Sequence, residues 1–156
     1  MAITHIQRSA LLPFTVQQLF DMVADIRAYP TFLPWCDAID VLKEDATVVE
    51  ARVTAGAAGV SQSFVTRNQM TIPERIELSL LEGPFEHFKG RWDFVALSDA
   101  TVSGAKLELD MQFELARKNL LLKRTFGKLF ERASSTLVES FCERAQTLYG
   151  GAAGGD

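Results

Sequence analysis

Apolar residues recur at every second position through most of the middle of the chain. In segment 106–115, five apolar residues alternate with acidic residues and a glutamine, and segments 75–81 and 87–94 alternate in the same way. This period is typical of a strand with one buried and one solvated face. Turn-forming residues separate the segments, and the connections are too short for crossover helices. We therefore predict about six strands in an antiparallel meander.

Two other stretches carry apolar residues at three- and four-residue steps, the spacing of an amphipathic helix. Thr15 and Gln18 open the first with the spacing of a capping box, and we expect this helix to end near Arg27. The second stretch covers residues 121–149. A further strand over residues 3–12 is predicted ahead of the first helix.

Segment 29–36 interrupts both patterns with four large apolar side chains and two prolines. Proline fixes its own φ and pushes the preceding residue towards extended geometry. We therefore expect no helix to run through Tyr29 to Trp35, and a bent segment that presents Tyr29, Phe32, Leu33 and Trp35. This segment is either the wall of an apolar cavity or a plug that closes the end of the core.

These elements predict an α+β domain in which a curved antiparallel sheet surrounds a long C-terminal helix. Such a sheet and helix enclose a groove, and ligand pockets favour grooves of this kind. We expect residues 1–150 to form one domain and residues 151–156 to be a disordered tail.

Composition narrows the class of protein. The net charge of −4 over 156 residues argues against a binder of DNA that uses the whole surface. No apolar run is long enough to span a bilayer, and the N-terminus lacks the layout of a signal peptide, so a cytoplasmic location is expected. In that compartment Cys36 and Cys142 are expected to be free thiols.

No catalytic, metal or nucleotide motif is visible. His5 and His87 lack the spacing of metal ligands, and neither a phosphate-binding glycine loop nor a nucleophile elbow is present. Asp110 and Glu114 share a strand face, but that face is the polar one. We predict no catalytic residue, no metal and no obligatory cofactor.

Strand 60–70 is less ordinary, because its more apolar face also carries Gln62, Thr66 and Asn68. Buried polar groups need partners, so these three side chains either bond to one another and to water or supply the polar contacts of a pocket. The complete set of predicted cavity residues is Tyr29, Phe32, Leu33, Trp35, Gln62, Phe64, Thr66, Asn68, Phe85, Phe88, Trp92, Phe94, Met111, Phe113, Phe130, Leu137 and Phe141.

A basic segment precedes and opens the last predicted helix. Arg117, Lys118, Lys123, Arg124 and Lys128 fall within twelve residues that contain no acid. Cations at a helix N-terminus oppose the helix dipole, so helix stability does not explain them. The segment is a solvated surface, or it contacts anionic lipid headgroups or RNA phosphate.

Three motifs together resemble a known family. They are YPxFLPWC at 29–36, EGPFxxFxGxWxF at 82–94 and FxxRAxxxYG at 141–150. They resemble the family that contains the coenzyme Q-binding respiratory proteins and the bacterial ribosome-association toxins of the RatA type, and the resemblance covers residues 3–150. It implies the START-like helix-grip fold of the polyketide cyclase, dehydrase and lipid transport superfamily.

The resemblance implies three functions. The first, which we expect, is a chaperone or carrier of ubiquinone or a similar isoprenoid lipid in respiratory electron transport, with peripheral attachment to the inner face of the membrane. The second is a toxin that binds the large ribosomal subunit through the basic segment and inhibits translation. The third, by analogy of fold, is a polyketide cyclase or aromatase, which would need an acid or base inside the cavity. The motifs are common to the quinone and ribosome branches and do not decide between them.

Overall fold

The computed structural model describes residues 3–57, 59–98, 103–116 and 120–150. It contains seven strands and four α-helices within these ranges. In chain order the elements are β1 (Thr4–Leu12), α1 (Val16–Ala24), a 3₁₀ turn (Ile26–Ala28), α2 (Tyr29–Phe32), β2 (Cys36–Glu44), β3 (Val48–Ala57), β4 (Val60–Thr71), β5 (Arg75–Glu82), β6 (Phe85–Ser98), β7 (Ser103–Leu115), α3 (Leu120–Ser135), α4 (Leu137–Ala145) and a π-helical turn (Gln146–Gly150).

All seven strands form one curved antiparallel sheet in the order β1-β7-β6-β5-β4-β3-β2. The six strands after α1 are joined as a meander, which confirms the prediction from the period of two. β1 pairs with β7, so that Ile6 lies opposite Met111. The alternating residues of β7 face inwards as a buried row, because its apolar positions share one side of the sheet.

The start of α1 is the predicted capping box. The Gln18 backbone N–H donates to Thr15 Oγ1 over 3.1 Å, and the Thr15 N–H donates to Gln18 Oε1 over 2.9 Å. The helix ends at Ala24, earlier than the predicted Arg27, and a 3₁₀ turn follows. Its buried side chains pack towards β6 and β7.

The bent segment after α1 begins with a short helix, α2. α2 forms because Pro30 occupies the first turn, where its missing N–H leaves no hydrogen bond unmade. Leu33 is extended and ends the helix before Pro34, so no helix continues to Trp35, as predicted.

The last predicted helix is two helices in the structure. Thr136 breaks the run with φ near −102° and ψ near 0°. Its hydroxyl donates to the carbonyl oxygens of Arg132 and Ala133, and the neighbouring Ser134 and Ser135 also bond back to the preceding turn. Such bonds compete with the helical ladder and bend helices, which explains the break within an otherwise regular apolar pattern.

α3 and α4 pack across the inner face of the sheet through aromatic side chains. Phe126 and Phe141 are fully buried, and the rings of Phe113 and Phe130 lie 4.7 Å apart between sheet and helix. The main core therefore sits between the helices and the strands β6 and β7.

Cys36 and Cys142 are free thiols.

Replacing Phe141 by alanine should lower the free energy of unfolding by about 3–5 kcal/mol, because truncating a fully buried phenylalanine leaves a cavity. Leu11 is 69% exposed on β1, and Leu11→Ala is the matched control, with an expected change within about 0.5 kcal/mol. Urea unfolding followed by circular dichroism measures both variants. Equal, small losses would contradict the packing of α4 on the sheet.

Stability should fall at alkaline pH through Tyr29. Its hydroxyl points inwards and donates to the Val23 carbonyl oxygen, and burial raises the pKa of this phenol above its ordinary value. The folded state therefore disfavours the phenolate. The free energy of unfolding should be insensitive to this group below the unfolded pKa of about 10 and should decrease above it.

Urea unfolding between pH 8 and pH 11 measures this dependence, and Tyr29→Phe should flatten the alkaline decrease. Tyr149→Phe is the comparison variant. Burial also raises the pKa of Tyr149, so this variant shows how much a second tyrosine contributes to the alkaline decrease. An alkaline decrease in Tyr29→Phe that matches the parent protein would show that Tyr29 does not titrate with unfolding.

Candidate ligand-binding cavity

A partly enclosed cavity of about 100 Å³ lies between the inner face of the sheet and α3. The end of α1, the 3₁₀ turn and the segment up to Trp35 close one side of it. A small apolar cluster of Ile26, Val49 and Ala51 stands apart from the main core, and residues of both clusters line the cavity. The cavity thus lies where packing between the two clusters is incomplete.

Ten of the predicted cavity residues line this space. The sheet contributes most of them because the inward positions of β4, β6 and β7 face α3. They are Tyr29, Trp35, Phe64, Thr66, Asn68, Phe88, Trp92, Met111, Phe130 and Leu137.

Seven predicted residues lie outside the lining of this cavity. They are Phe32, Leu33, Gln62, Phe85, Phe94, Phe113 and Phe141. A period of two or four assigns a side chain to the interior, but it does not distinguish the wall of a cavity from the solid core behind that wall.

The aromatic residues among the seven are held by other rings. Phe85 and Phe113 belong to a cluster with Phe126 and Phe130, in which the Phe85 and Phe130 rings lie 5.0 Å apart. Phe94 packs edge-on against Phe20 of α1. They therefore support the cavity from behind.

Phe32 and Phe141 form a separate contact near α2. Each ring lies 5.4 Å from the other, Tyr29 packs against both, and the Arg144 guanidinium lies 4.8 Å from the Phe32 ring centre. This contact joins α2 to α4 and so fixes Tyr29 at the cavity.

Leu33 and Gln62 lie outside the cavity lining for simpler reasons. Leu33 is buried in the main core, where the chain turns from α2 towards β2. Gln62 is half-buried near the start of β4 and pairs with Ala55 in the ladder, beyond the part of the strand that faces the cavity.

Sequence reasoning missed the contribution of small and aliphatic side chains. The additional lining residues are Val23, Ala24, Ile26, Ile39, Val49, Ala51, Val53, Met70, Ile76, Leu78, Ala133 and Ser134. The alternation of Val49, Ala51 and Val53 indicated an inward face of β3, but nothing local to Ala133 or Ser134 indicated a cavity. Small side chains leave space only when they face one another across two elements.

The polar groups of the cavity are few. On β4, Thr66 Oγ1 donates to Asn68 Oδ1 over 3.0 Å, and both residues are buried, with 6% and 9% of their surface exposed. On α3, Ser134 Oγ donates to the Phe130 carbonyl oxygen over 2.7 Å. Thr66 and Asn68 thus bond to each other, whereas Gln62 is not part of this pair.

Electrostatically the cavity is neutral. Among its described lining residues, Tyr29 has the one side chain with an acidic or basic group, and burial raises the pKa of its phenol. A carboxylate, imidazole or amine is not part of this lining. The arrangement can bind an apolar molecule with a small hydrogen-bonding group.

The basic segment is described only in part. Arg117 and Lys118 lie outside the described residues, as does the tail 151–156. The helical backbone at Lys123 is described, and the side chains of Arg124 and Lys128 are exposed on α3. The described cations therefore face solvent on the element that lines the cavity.

Within the described ranges, no group of three or more His, Cys, Asp or Glu side chains is placed to hold a metal ion. No helix in these ranges combines the length and apolar character needed to cross a membrane.

Comparisons with known proteins place the chain among relatives. The model of the polyketide cyclase/dehydrase and lipid transport family matches residues 12–142. The ribosome association toxin RatA of Pseudomonas aeruginosa is 45% identical over 147 residues, covering 94% of this chain and 99% of the relative. The mitochondrial coenzyme Q-binding protein COQ10 homolog B of Xenopus laevis is 26% identical over 143 residues, covering 91% of this chain and 58% of the relative.

A solved structure has the same fold as this chain. The Zhui aromatase/cyclase from Streptomyces sp. R1128 superposes with a TM-score of 0.77 at 16% identity, covering 93% of this chain and 94% of that one. At that identity the likeness shows the fold alone. The family model and the Pseudomonas relative each cover most of the chain. The chain therefore belongs to the polyketide cyclase/dehydrase and lipid transport family, in the START-like branch that includes ribosome association toxins and coenzyme Q-binding proteins.

Proposed function

We propose that the protein binds an apolar small molecule in the cavity between sheet and α3, with ubiquinone or a similar isoprenoid lipid as the ligand. The observation that carries this proposal is the lining, which is almost wholly aliphatic and aromatic and contains one buried pair of polar side chains, Thr66 and Asn68. Small-molecule sites generally combine apolar walls with a few placed polar groups.

The size of the cavity limits how such a ligand is held. At about 100 Å³ it is smaller than an engineered protein cavity of about 150 Å³ that binds benzene. A quinone ring with its tail therefore requires the lining to move apart. Trp35 and Phe88 are large lining residues that are only half-buried, so their side chains have room to move.

The comparisons favour a second candidate, association with the large ribosomal subunit and inhibition of translation. The Pseudomonas relative named for ribosome association is far more similar to this chain than the Xenopus relative named for coenzyme Q binding. The exposed Arg124 and Lys128 on α3 supply cations that can contact RNA phosphate. The two candidates use different surfaces, so one protein can do both.

We propose no catalytic step. A cyclase or aromatase would need an acid or base at the bound molecule, and the described lining offers only the phenol of Tyr29, which already donates to the Val23 carbonyl oxygen. Under this proposal the protein acts in the cytoplasm by binding, either as a carrier of the ligand or as a factor at the ribosome.

Filling the cavity should abolish ligand binding. In the parent protein, affinity for 2-alkyl-1,4-benzoquinones should rise with tail length, because each buried methylene contributes about 0.8 kcal/mol. Ala133→Leu places extra atoms in the cavity from α3 and should lower the affinity at least tenfold. The exposed Ala96→Leu on β6 is the matched control and should bind like the parent. Isothermal titration calorimetry measures all three.

A thermal melt shows whether Ala133→Leu keeps its fold. Undiminished binding by a folded Ala133→Leu variant would place the ligand elsewhere, and affinity independent of tail length would mean that the tail is not buried.

Charge reversal at Lys123, Arg124 and Lys128 tests the ribosomal candidate. If these cations contact RNA, association of the parent protein with large subunits should weaken steeply with added salt, and the triple Glu variant should lose it. Reversal of Arg8, Lys43 and Lys89, which are exposed on strands, makes the same change in net charge and should leave association intact. Cosedimentation with purified large subunits gives the readout.

Anionic vesicles form the parallel arm of this experiment, since the same cations can contact lipid headgroups. Loss of vesicle binding alone in the triple Glu variant would assign the segment to the membrane. Unchanged behaviour in both assays would leave the segment a solvated surface and remove the ribosomal candidate's docking site.

A further inference from the structure

The hydrogen-bonding groups that line the cavity are unevenly used. The three described hydroxyls of the lining all donate hydrogen bonds to other atoms of the protein. Tyr29 donates to the Val23 carbonyl oxygen, Ser134 to the Phe130 carbonyl oxygen and Thr66 to Asn68 Oδ1. A ligand therefore finds no hydroxyl donor free among these residues.

Asn68 is the exception. Its Oδ1 accepts from Thr66, which fixes the orientation of the amide, and its Nδ2 group carries two N–H donors. No described residue accepts a hydrogen bond from Nδ2, although 91% of Asn68 is buried, as its 9% exposed surface shows. No sealed and unpartnered polar side-chain atom remains in the described chain, so Nδ2 keeps some accessible surface, and Asn68 is a residue of the cavity lining.

Trp35 and Trp92 also line the cavity, and an indole N–H can only donate. A bound molecule that displaces water from Asn68 Nδ2 leaves this donor unpaired, at a cost, unless the molecule offers an acceptor.

We propose that Asn68 Nδ2 is a recognition group for a carbonyl oxygen, so that the cavity selects apolar molecules that carry a carbonyl over hydrocarbons of the same shape. Thr66 is a positioning residue, since its hydroxyl holds the amide with Nδ2 towards the ligand. A quinone ring matches this chemistry because its polar atoms are acceptors. This inference rests on the proposed function, and it names the polar group by which the ligand is chosen.

A matched pair of ligands isolates the carbonyl. Calorimetry with the full chain compares 2-decyl-1,4-benzoquinone with decylbenzene, which has the same tail and ring size but no acceptor. The parent protein should bind the quinone more tightly. Asn68→Leu, which keeps the number and branching of the side-chain heavy atoms, should lower the affinity for the quinone about five- to tenfold, as expected for loss of a buried hydrogen bond, and leave the affinity for decylbenzene unchanged or higher.

Two further variants keep the test sharp. Thr66→Val removes only the positioning hydroxyl and should lower quinone affinity about two- to threefold without affecting decylbenzene, an effect that a merely structural role would not produce. Ser135→Ala removes a hydroxyl outside the lining that donates to the Arg132 carbonyl oxygen of its own helix, and it should change neither affinity. Thermal melts confirm that each variant is folded, and Thr66→Val carries the test if Asn68→Leu does not fold.

Equal affinity of the parent protein for the two ligands would overturn the inference and leave the proposed apolar cavity standing. Equal losses for both ligands in a folded Asn68→Leu variant would also overturn it, because the residue would then act on packing alone. Failure of the parent protein to bind either ligand would overturn the proposed function and the inference with it.

Discussion

The packing of aromatic rings from α3 and α4 against the inner face of the sheet is the interaction on which the rest of the molecule depends. Phe126 and Phe141 are fully buried, and Phe130 contacts rings on three strands, at Phe64, Phe85 and Phe113. Seven antiparallel strands leave one face apolar, and only a cover of this length can bury it. The cover also fixes the distance between helix and sheet.

That fixed distance explains the cavity. The cavity lies between α3 and the inner faces of β3 and β4, and its lining includes Ala51 and Ala133, whose side chains are too small to fill the space. The space is apolar because the inward strand faces are apolar. Its polar pair survives burial because Thr66 and Asn68 stand two residues apart on one strand and can bond to each other.

The relatives of the chain and the geometry of its cavity favour different functions. The curated relatives direct attention to the ribosome, whereas the cavity directs attention to a small apolar ligand. The two are compatible because α3 presents both the cavity lining and the exposed Arg124 and Lys128.

The sequence by itself determined the local elements, because their causes lie within a few residues. The capping box at Thr15 and Gln18 and the alternation along β7 needed no tertiary information, and the inward direction of Thr66 and Asn68 followed from their parity on β4. Tertiary structure alone decided which inward residues face empty space. Phe85 and Phe113 pack against other rings and belong to the solid core, whereas Ala51 on β3 and Ala133 on α3 both line the cavity. A cavity is a property of two elements at a set distance, and no period within one element encodes that distance.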